Sequence, residues 1–156
     1  MGLLDNMRSE PVERLSLRSP VEVDPTTSVR EVIQEMRASR LGCAILVDAD
    51  RKPVGMFTER MLTKKMAAGT AFLDEPVSSH AVDDWPCVKL SDPIEDVLKS
   101  LVSKNVRFIC VVDAEGRTAG LTGQKGLMEY IADHFPEQVM VQRVGNTPYL
   151  QQREGA

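Results

Sequence analysis

Aromatic side chains are scarce in this chain. Phe, Trp and Tyr together make up 4% of the 156 residues, and there is a single Trp. A core built from this sequence must therefore be filled mainly by Val, Leu, Ile and Met. Hydrophobic residues reach 42% and charged residues 27%, as in an ordinary globular protein. The length allows one compact domain or two small ones.

Positive charge is not in excess. The chain has 19 Lys and Arg against 23 Asp and Glu, a net charge of −4. Without a basic field, no nucleic-acid partner is expected. No apolar run approaches the ~20 residues that span a membrane, and the N-terminus lacks a secretory signal. We therefore expect a cytoplasmic protein that contacts neither nucleic acid nor membrane.

Cysteine and histidine are also few. Cys43, Cys87 and Cys110 are an odd number and lie in apolar, strand-like segments, which favours buried reduced thiols. His80 and His134 have no spacing typical of a metal site. No nucleophile–base set is visible either. We therefore expect no metal, no required cofactor and no enzymatic activity.

An internal repeat is the strongest signal in the sequence. When residues 10–69 are aligned without gaps on 75–134, Glu-Pro-Val at 10–12 falls on the same triplet at 75–77. Val-Asp-Ala at 47–49 falls likewise on 112–114, and Gly55 on Gly120. The predicted organisation is an N-terminal extension (1–9), a first repeat (10–69), a linker (70–74), a second repeat (75–134) and a tail (135–156).

Both copies predict the element order β-α-β-β-α. The first helix has apolar residues at i, i+3, i+4 and i+7 in each copy, and a Ser28–Glu31 capping box or the Pro of Asp92-Pro93 marks its start. The predicted segments are strands 21–23 and 87–90, helices from 29 and 94, strands 44–47 and 108–112, strands 54–57 and 119–122, and helices 59–68 and 124–134.

These strands are apolar on both faces, so one copy alone buries little core. We therefore expect a mixed α/β fold, sandwich-like, in which two copies related by a pseudo-twofold pack through their sheets and leave a cleft between them. Leu3, Leu4 and Met7 predict a helical turn that docks on the body or on a dimer partner. Residues 139–144 of the tail suggest a strand or an extended strap.

Two stretches carry a resemblance to a known family. The run 41–48 (LGCAILVD) followed by 53–60 (PVGMFTER), and its counterparts 105–113 and 116–122, resemble the CBS domain. Two such domains in tandem form a Bateman module. The resemblance implies binding of AMP, ADP, ATP or S-adenosylmethionine between the repeats, a homodimer and regulation of a partner protein. Carried over to this chain, it gives the candidate ligand residues Val23, Gly42, Cys43, Ala44, Thr58, Arg60, Trp85, Cys87, Arg107, Phe108, Ile109, Gly123 and Lys125.

Neither copy keeps the family's nucleotide signature, which is Gly, two apolar residues, Ser or Thr, two variable residues and Asp. The first copy retains Thr58 but has Met61 at the ribose-binding Asp position. The second has Gly123 and Gly126 at the two positions, with Lys125 between them. These glycines either let backbone N–H groups approach an anion, aided by Arg107, or merely form a tight strand-to-helix turn.

Two alternatives remain open from the sequence. Trp85 either stacks on adenine or is simply packed. The chain is either a regulatory module with two unequal ligand sites, or a protein-association platform whose nucleotide sites have decayed.

Overall fold

Both copies fold as the repeat predicts, in a computed structural model that describes residues 2–82 and 84–135. The first copy contains β1 (Glu22–Val23), α2 (Val29–Ser39), β2 (Cys43–Val47), β3 (Pro53–Thr58) and α3 (Glu59–Met66). The second contains β4 (Cys87–Lys89), α4 (Ile94–Lys104), β5 (Phe108–Val112), β6 (Thr118–Gly123) and α5 (Gln124–His134). A short helix, α1 (Leu3–Ser9), precedes them, and single 3-10 turns lie at Val12–Arg14, Ala71–Asp74 and Val77–Ser79.

Each copy forms a three-stranded mixed sheet. In the first sheet β1 runs parallel to β2 and β3 antiparallel to it, and β4, β5 and β6 repeat this arrangement. Both sheets have a register shift at the same place, between Leu46 and Val47 and between Val111 and Val112. The mixed α/β class and the β-α-β-β-α order are therefore confirmed.

The helix boundaries follow local sequence. Ser28 caps α2 through a capping box, with its hydroxyl accepting from the Glu31 N–H and the Glu31 carboxylate accepting from the Ser28 N–H. Pro93 lies just outside α4, as its N-cap, rather than at the first helical position. Both helices end on left-handed residues at equivalent positions, Arg40 with φ 53° and Asn105 with φ 49°.

The copies exchange their N-terminal segments. Val12 donates to the Asp92 carbonyl at 2.8 Å, and Val77 donates to the Thr27 carbonyl at the same distance. Further along, Arg18 pairs with Leu121 of β6 through two 2.9 Å backbone hydrogen bonds. Each copy thus completes the sheet edge and helix start of the other, which gives the pair its pseudo-twofold relation.

The sheets pack face to face through the apolar core. Cys110, Val112 and Leu121 of the second sheet are buried in the same cluster as the strands of the first. A second cluster packs α4 and α5 on the second sheet and includes Met7 of α1, which is 2% exposed. The N-terminal helix therefore docks on the body of its own chain.

The three cysteines differ in exposure. Cys43 and Cys110 are buried, but Cys87 is exposed, because it lies on β4 at the edge of its sheet. The expected strand or strap at 139–144 lies outside the described residues. None of the helices in the described part of the chain combines the length and the apolar character of a membrane span.

Candidate functional site

A small cavity lies where β6 of the second copy turns into α5. Its volume is about 50 Å³. It is lined by Ser16, Arg18, Arg107, Phe108, Leu121, Thr122, Gly123, Lys125, Gly126 and Glu129. Four of the candidate ligand residues therefore meet in one place, namely Arg107, Phe108, Gly123 and Lys125.

Sterics account for both glycines in this turn. Gly123 pairs with Phe108 across β5 and β6, and a Cβ on it would overlap the carbonyl oxygen of Arg107. A Cβ on Gly126 would lie 2.5 Å from the Thr122 hydroxyl. Gly123 thus allows a close approach to the Arg107 backbone, and Gly126 allows a close approach to the Thr122 hydroxyl. Neither position offers a side chain to a ligand.

Polar groups at this turn lack partners within residues 2–82 and 84–135. No side chain caps the N-terminus of α5, since its N-cap is Gly123, and the first turn contains no acidic residue. The Thr122 hydroxyl is buried and has no hydrogen-bond partner among the described residues. N–H groups at a helix N-terminus that no side chain caps attract anions.

The charge around the cavity is mainly positive. The exposed residues Arg18, Arg107 and Lys125 face one acidic neighbour, Glu129, whose carboxylate lies 3.6 Å from the Lys125 ammonium. Three cations against one carboxylate leave an excess of two positive charges. Together with the uncapped helix, this arrangement is suited to a phosphate or carboxylate group.

The equivalent turn of the first copy is built differently. The Thr58 hydroxyl caps α3 by accepting from the Met61 N–H at 3.4 Å, and the Glu59 N–H donates to the Gly42 carbonyl at 2.9 Å. Glu59 adds a negative charge in the first helical turn. Two of the helix N–H groups are therefore already bonded, and Arg60 is exposed beside them.

Gly42 lies between the two copies. A Cβ on it would come within 3.0 Å of both the Glu59 carboxylate and the ring of Phe108. Phe108 therefore reaches from the second copy toward the start of β2. The turn before α3 is therefore closed by neighbouring side chains, whereas the turn before α5 is open.

Four of the candidate residues have side chains in the core rather than in the cavity. Val23, Cys43 and Ala44 are buried in the first cluster, and Ile109 is fully buried in the second. The reason is that both faces of each sheet are covered, so even the consecutive residues Cys43 and Ala44, which point to opposite faces of β2, are both buried. Burial, and secondarily the nearby Glu59, raise the pKa of Cys43 to about 12.

Trp85 and Cys87 lie away from this cavity. Trp85 is partly buried against the first cluster, and its indole N–H is buried with no partner in the part of the chain that the structure describes. Cys87 lies beside Cys110 on the neighbouring strand, and a hydrogen bond from Cys110 lowers the pKa of Cys87. Trp85 therefore packs against the first cluster, and its stacking on adenine stays a prediction.

The sequence interpretation missed Ser16, Arg18 and Thr122. Ser16 and Arg18 belong to the first repeat in sequence, yet the exchange of N-terminal segments brings them to the second. Thr122 stands one residue before the signature hydroxyl position. The alternation of polar Ser16 and Arg18 with apolar Leu15 and Leu17 was a signal for a pairing segment.

No group of three or more His, Cys, Asp or Glu side chains with metal-binding geometry occurs among the described residues.

Comparison with known proteins connects this geometry to a family. The CBS domain model matches residues 12–68 and 77–133. A CBS domain protein from Pyrobaculum aerophilum, solved in complex with AMP, is 28% identical with a TM-score of 0.70, covering 76% of this chain and 90% of that one. A CBS-domain containing protein from Agrobacterium tumefaciens is 26% identical with a TM-score of 0.68, covering 77% and 97%.

An uncharacterized 17.7 kDa protein from Acidianus ambivalens is 24% identical over 122 residues, which are 78% of this chain and 73% of that protein. The family model matches most of the chain, and the two matched ranges coincide with the two structural copies. The chain belongs to the CBS domain family and carries two CBS domains in tandem.

Proposed function

We propose that this tandem CBS pair is a regulatory module that binds an adenosine nucleotide through its phosphate, in the cavity at the α5 N-terminus, and signals to a partner protein. One observation carries the proposal, namely that Arg18, Arg107 and Lys125 line a cavity at an uncapped helix N-terminus. The AMP complex of the Pyrobaculum aerophilum relative supports the class of ligand.

The size of the cavity indicates which part of the ligand it holds. About 50 Å³ is far below the roughly 300 Å³ or more of a typical ligand pocket. The phosphate is therefore the anchoring group, and the nucleoside extends along the exposed cleft. Because Gly126 replaces the signature Asp, the ribose hydroxyls lose their carboxylate partner, and selection for the sugar is weak.

The candidate ligands differ in the charge that they carry. AMP, ADP and ATP carry phosphates that three cations attract, whereas S-adenosylmethionine carries a sulfonium cation and no phosphate. The nucleotides therefore fit this site better. Catalysis is not proposed, because the site offers cations and backbone N–H groups but no nucleophile with an adjacent base.

The two copies are proposed to be unequal in function. Thr58 and Gly42 already satisfy N–H groups at the start of α3, and Glu59 repels an anion there. One nucleotide per chain is therefore expected, at the second copy.

The experiment is calorimetric titration with AMP, ADP and ATP. Lys125→Ala is expected to weaken binding about tenfold, since a charge-assisted contact contributes about 1.5 kcal/mol or more. Arg60→Ala is the matched control, because Arg60 holds the equivalent position in the first copy. Loss of binding in Arg60→Ala with retention in Lys125→Ala would move the ligand to the first copy, and no heat with any nucleotide would reject the sensor.

The second candidate function is a protein-association platform. Val102 of α4 and Met128 of α5 are 74% and 62% exposed, which suits a contact with a second copy or a partner. A homodimer is part of this proposal. Light scattering coupled to gel filtration measures it, and Val102→Asp with Met128→Asp should yield a monomer of about half the mass.

A further inference from the structure

A second and larger cavity lies at the opposite end of β6 from the nucleotide cavity. It forms where the N-terminal segment leaves β6 of the second sheet and enters β1 of the first, and its volume is about 320 Å³. This is at the lower end of the range for small-molecule sites. Arg18, Ser19, Glu22, Arg51 and Thr118 supply its polar lining.

Two guanidinium groups meet at this cavity. Arg51 forms a forked pair with Glu22, with Nη2–Oε1 and Nε–Oε2 distances of 2.9 and 3.1 Å. Arg18 is exposed and forms no ion pair with an acidic side chain in the part of the chain that the structure describes. The Arg51 guanidinium is oriented by a carboxylate, and the Arg18 guanidinium beside it has no acidic partner in the described residues. This arrangement is suited to phosphate.

The fold by itself does not require these polar residues. The repeat relation places Gly116 at the position of Arg51, Cys87 at that of Glu22 and Pro53 at that of Thr118. The equivalent corner of the other copy therefore has none of the three polar side chains, yet it adopts the same turn and the same register shift. The polar set is specific to one corner of a symmetric scaffold.

Backbone conformation gives an independent indication. Arg51 has φ 62°, in the left-handed region, where its equivalent Gly116 has φ 81°. Glycine adopts this conformation without steric cost, whereas arginine does not. The Arg51 carbonyl also accepts from the Thr118 N–H at 3.0 Å and lies 3.3 Å from its hydroxyl. Arg51 thus holds a strained conformation with its guanidinium at the cavity, as residues at functional sites often do.

We propose that this corner is a separate binding site for a small phosphorylated compound. The phosphate lies between Arg18 and Arg51, and hydroxyl groups of the ligand donate to Glu22, with Ser19 and Thr118 completing the polar contacts. The Arg51 guanidinium is charged at all physiological pH values, and its negatively charged neighbours are Glu22 and, with a smaller effect, Asp113. Arg18 lines both cavities, so occupation here competes with nucleotide binding for one side chain.

The test is a ¹H–¹⁵N NMR titration with inorganic pyrophosphate as the probe, at constant ionic strength. We expect shifts at the backbone amides of Ser19, Arg51 and Thr118. Arg51→Gly places the residue of the other copy at this turn, so the fold is retained, and the dissociation constant for these shifts should rise about tenfold. Arg37→Ala, an exposed arginine of α2, should leave it unchanged.

The outcomes separate the two sites. Shifts confined to Gly123 and Gly126 would overturn the corner site while supporting the nucleotide cavity. Unchanged affinity in Arg51→Gly, or no shift at Ser19, Arg51 and Thr118, would also overturn it. The protein could show shifts at these three amides, with weaker binding in Arg51→Gly, and yet not bind AMP. That result would support the corner site while the nucleotide proposal fails.

Discussion

Gly123 and the carbonyl of Arg107 approach so closely that no other residue fits at the glycine position. In the first copy, Thr58 occupies the equivalent place opposite Cys43, and its side chain is accommodated as the cap of α3. Loss of the hydroxyl in the second copy thus accompanies a tighter approach of β5 and β6. The same change leaves α5 uncapped, and the site gains an open helix N-terminus as it loses a side chain.

Gly123→Ala should be strongly destabilising. The new Cβ meets backbone, which cannot rotate away, so we expect the free energy of unfolding to fall by about 3 kcal/mol. Gly126→Ala is the comparison, because its Cβ meets the Thr122 hydroxyl, which can rotate, and we expect a fall of about 1 kcal/mol. Urea unfolding monitored at Trp85 measures both, and equal losses would contradict the steric interpretation.

Arg40→Gly should stabilise the protein. Arg40 ends α2 in the left-handed conformation with φ 53°, which glycine adopts without steric cost, so we expect a gain of about 0.5–1 kcal/mol. Gln34→Gly, at an exposed position inside the same helix, should instead cost about 1 kcal/mol. Thermal unfolding distinguishes the two signs, and destabilisation by Arg40→Gly would indicate that its side chain is needed there.

The docking of α1 can be tested through Met7. Its side chain is 2% exposed among residues of the second cluster, so Met7→Ala should cost about 2–3 kcal/mol. Leu4 on the same helix is 54% exposed, and Leu4→Ala should change stability by less than about 0.5 kcal/mol. Chemical denaturation measures both variants. Similar small effects would mean that the helix is detached in solution.

Alkylation should distinguish the three cysteines. Cys87 is exposed and its pKa is lowered by the hydrogen bond from Cys110, so its reaction with iodoacetamide should reach half its maximal rate at a lower pH than that of an unperturbed thiol. Burial raises the pKa of Cys43 to about 12, so Cys43 should react only on unfolding. In Cys110→Val the Cys87 thiolate loses its donor, so the midpoint of alkylation should lie at higher pH than in the unsubstituted protein. Mass spectrometry of labelled peptides reads out each position, and an unmoved midpoint would contradict the hydrogen bond.

The fold was predictable because both copies repeat the same apolar spacing. Helix periodicity, the Ser28–Glu31 capping box and the alternating strands all act over a few residues, so they can be read from the sequence. The sheet-to-sheet core followed from strands that are apolar on both faces. The exposure of Cys87 did not follow, because it depends on which strand forms the sheet edge.

The site was only partly predictable. Arg107, Phe108, Gly123 and Lys125 lie together as the family pattern implied, since β5 and β6 are adjacent in sequence and in space. Arg18 was missed because it is over eighty residues away in the chain and arrives through the exchange of N-terminal segments. Ile109, the neighbour of Phe108 on β5, points instead to the face of its sheet that α4 and α5 cover.

The sequence by itself determined the duplication, the element order, the aliphatic core and the inequality of the two signature segments, because these are local or repeated patterns. Only the tertiary structure decided which side chains meet. It joined Ser16 and Arg18 to α5, brought Arg51 and Glu22 to a second cavity, and turned Val23, Cys43 and Ala44 into the core. The physical reason is that backbone hydrogen bonds between the copies, and the burial of both sheet faces, bring together residues that are far apart in the sequence. No local spacing pattern relates such residues.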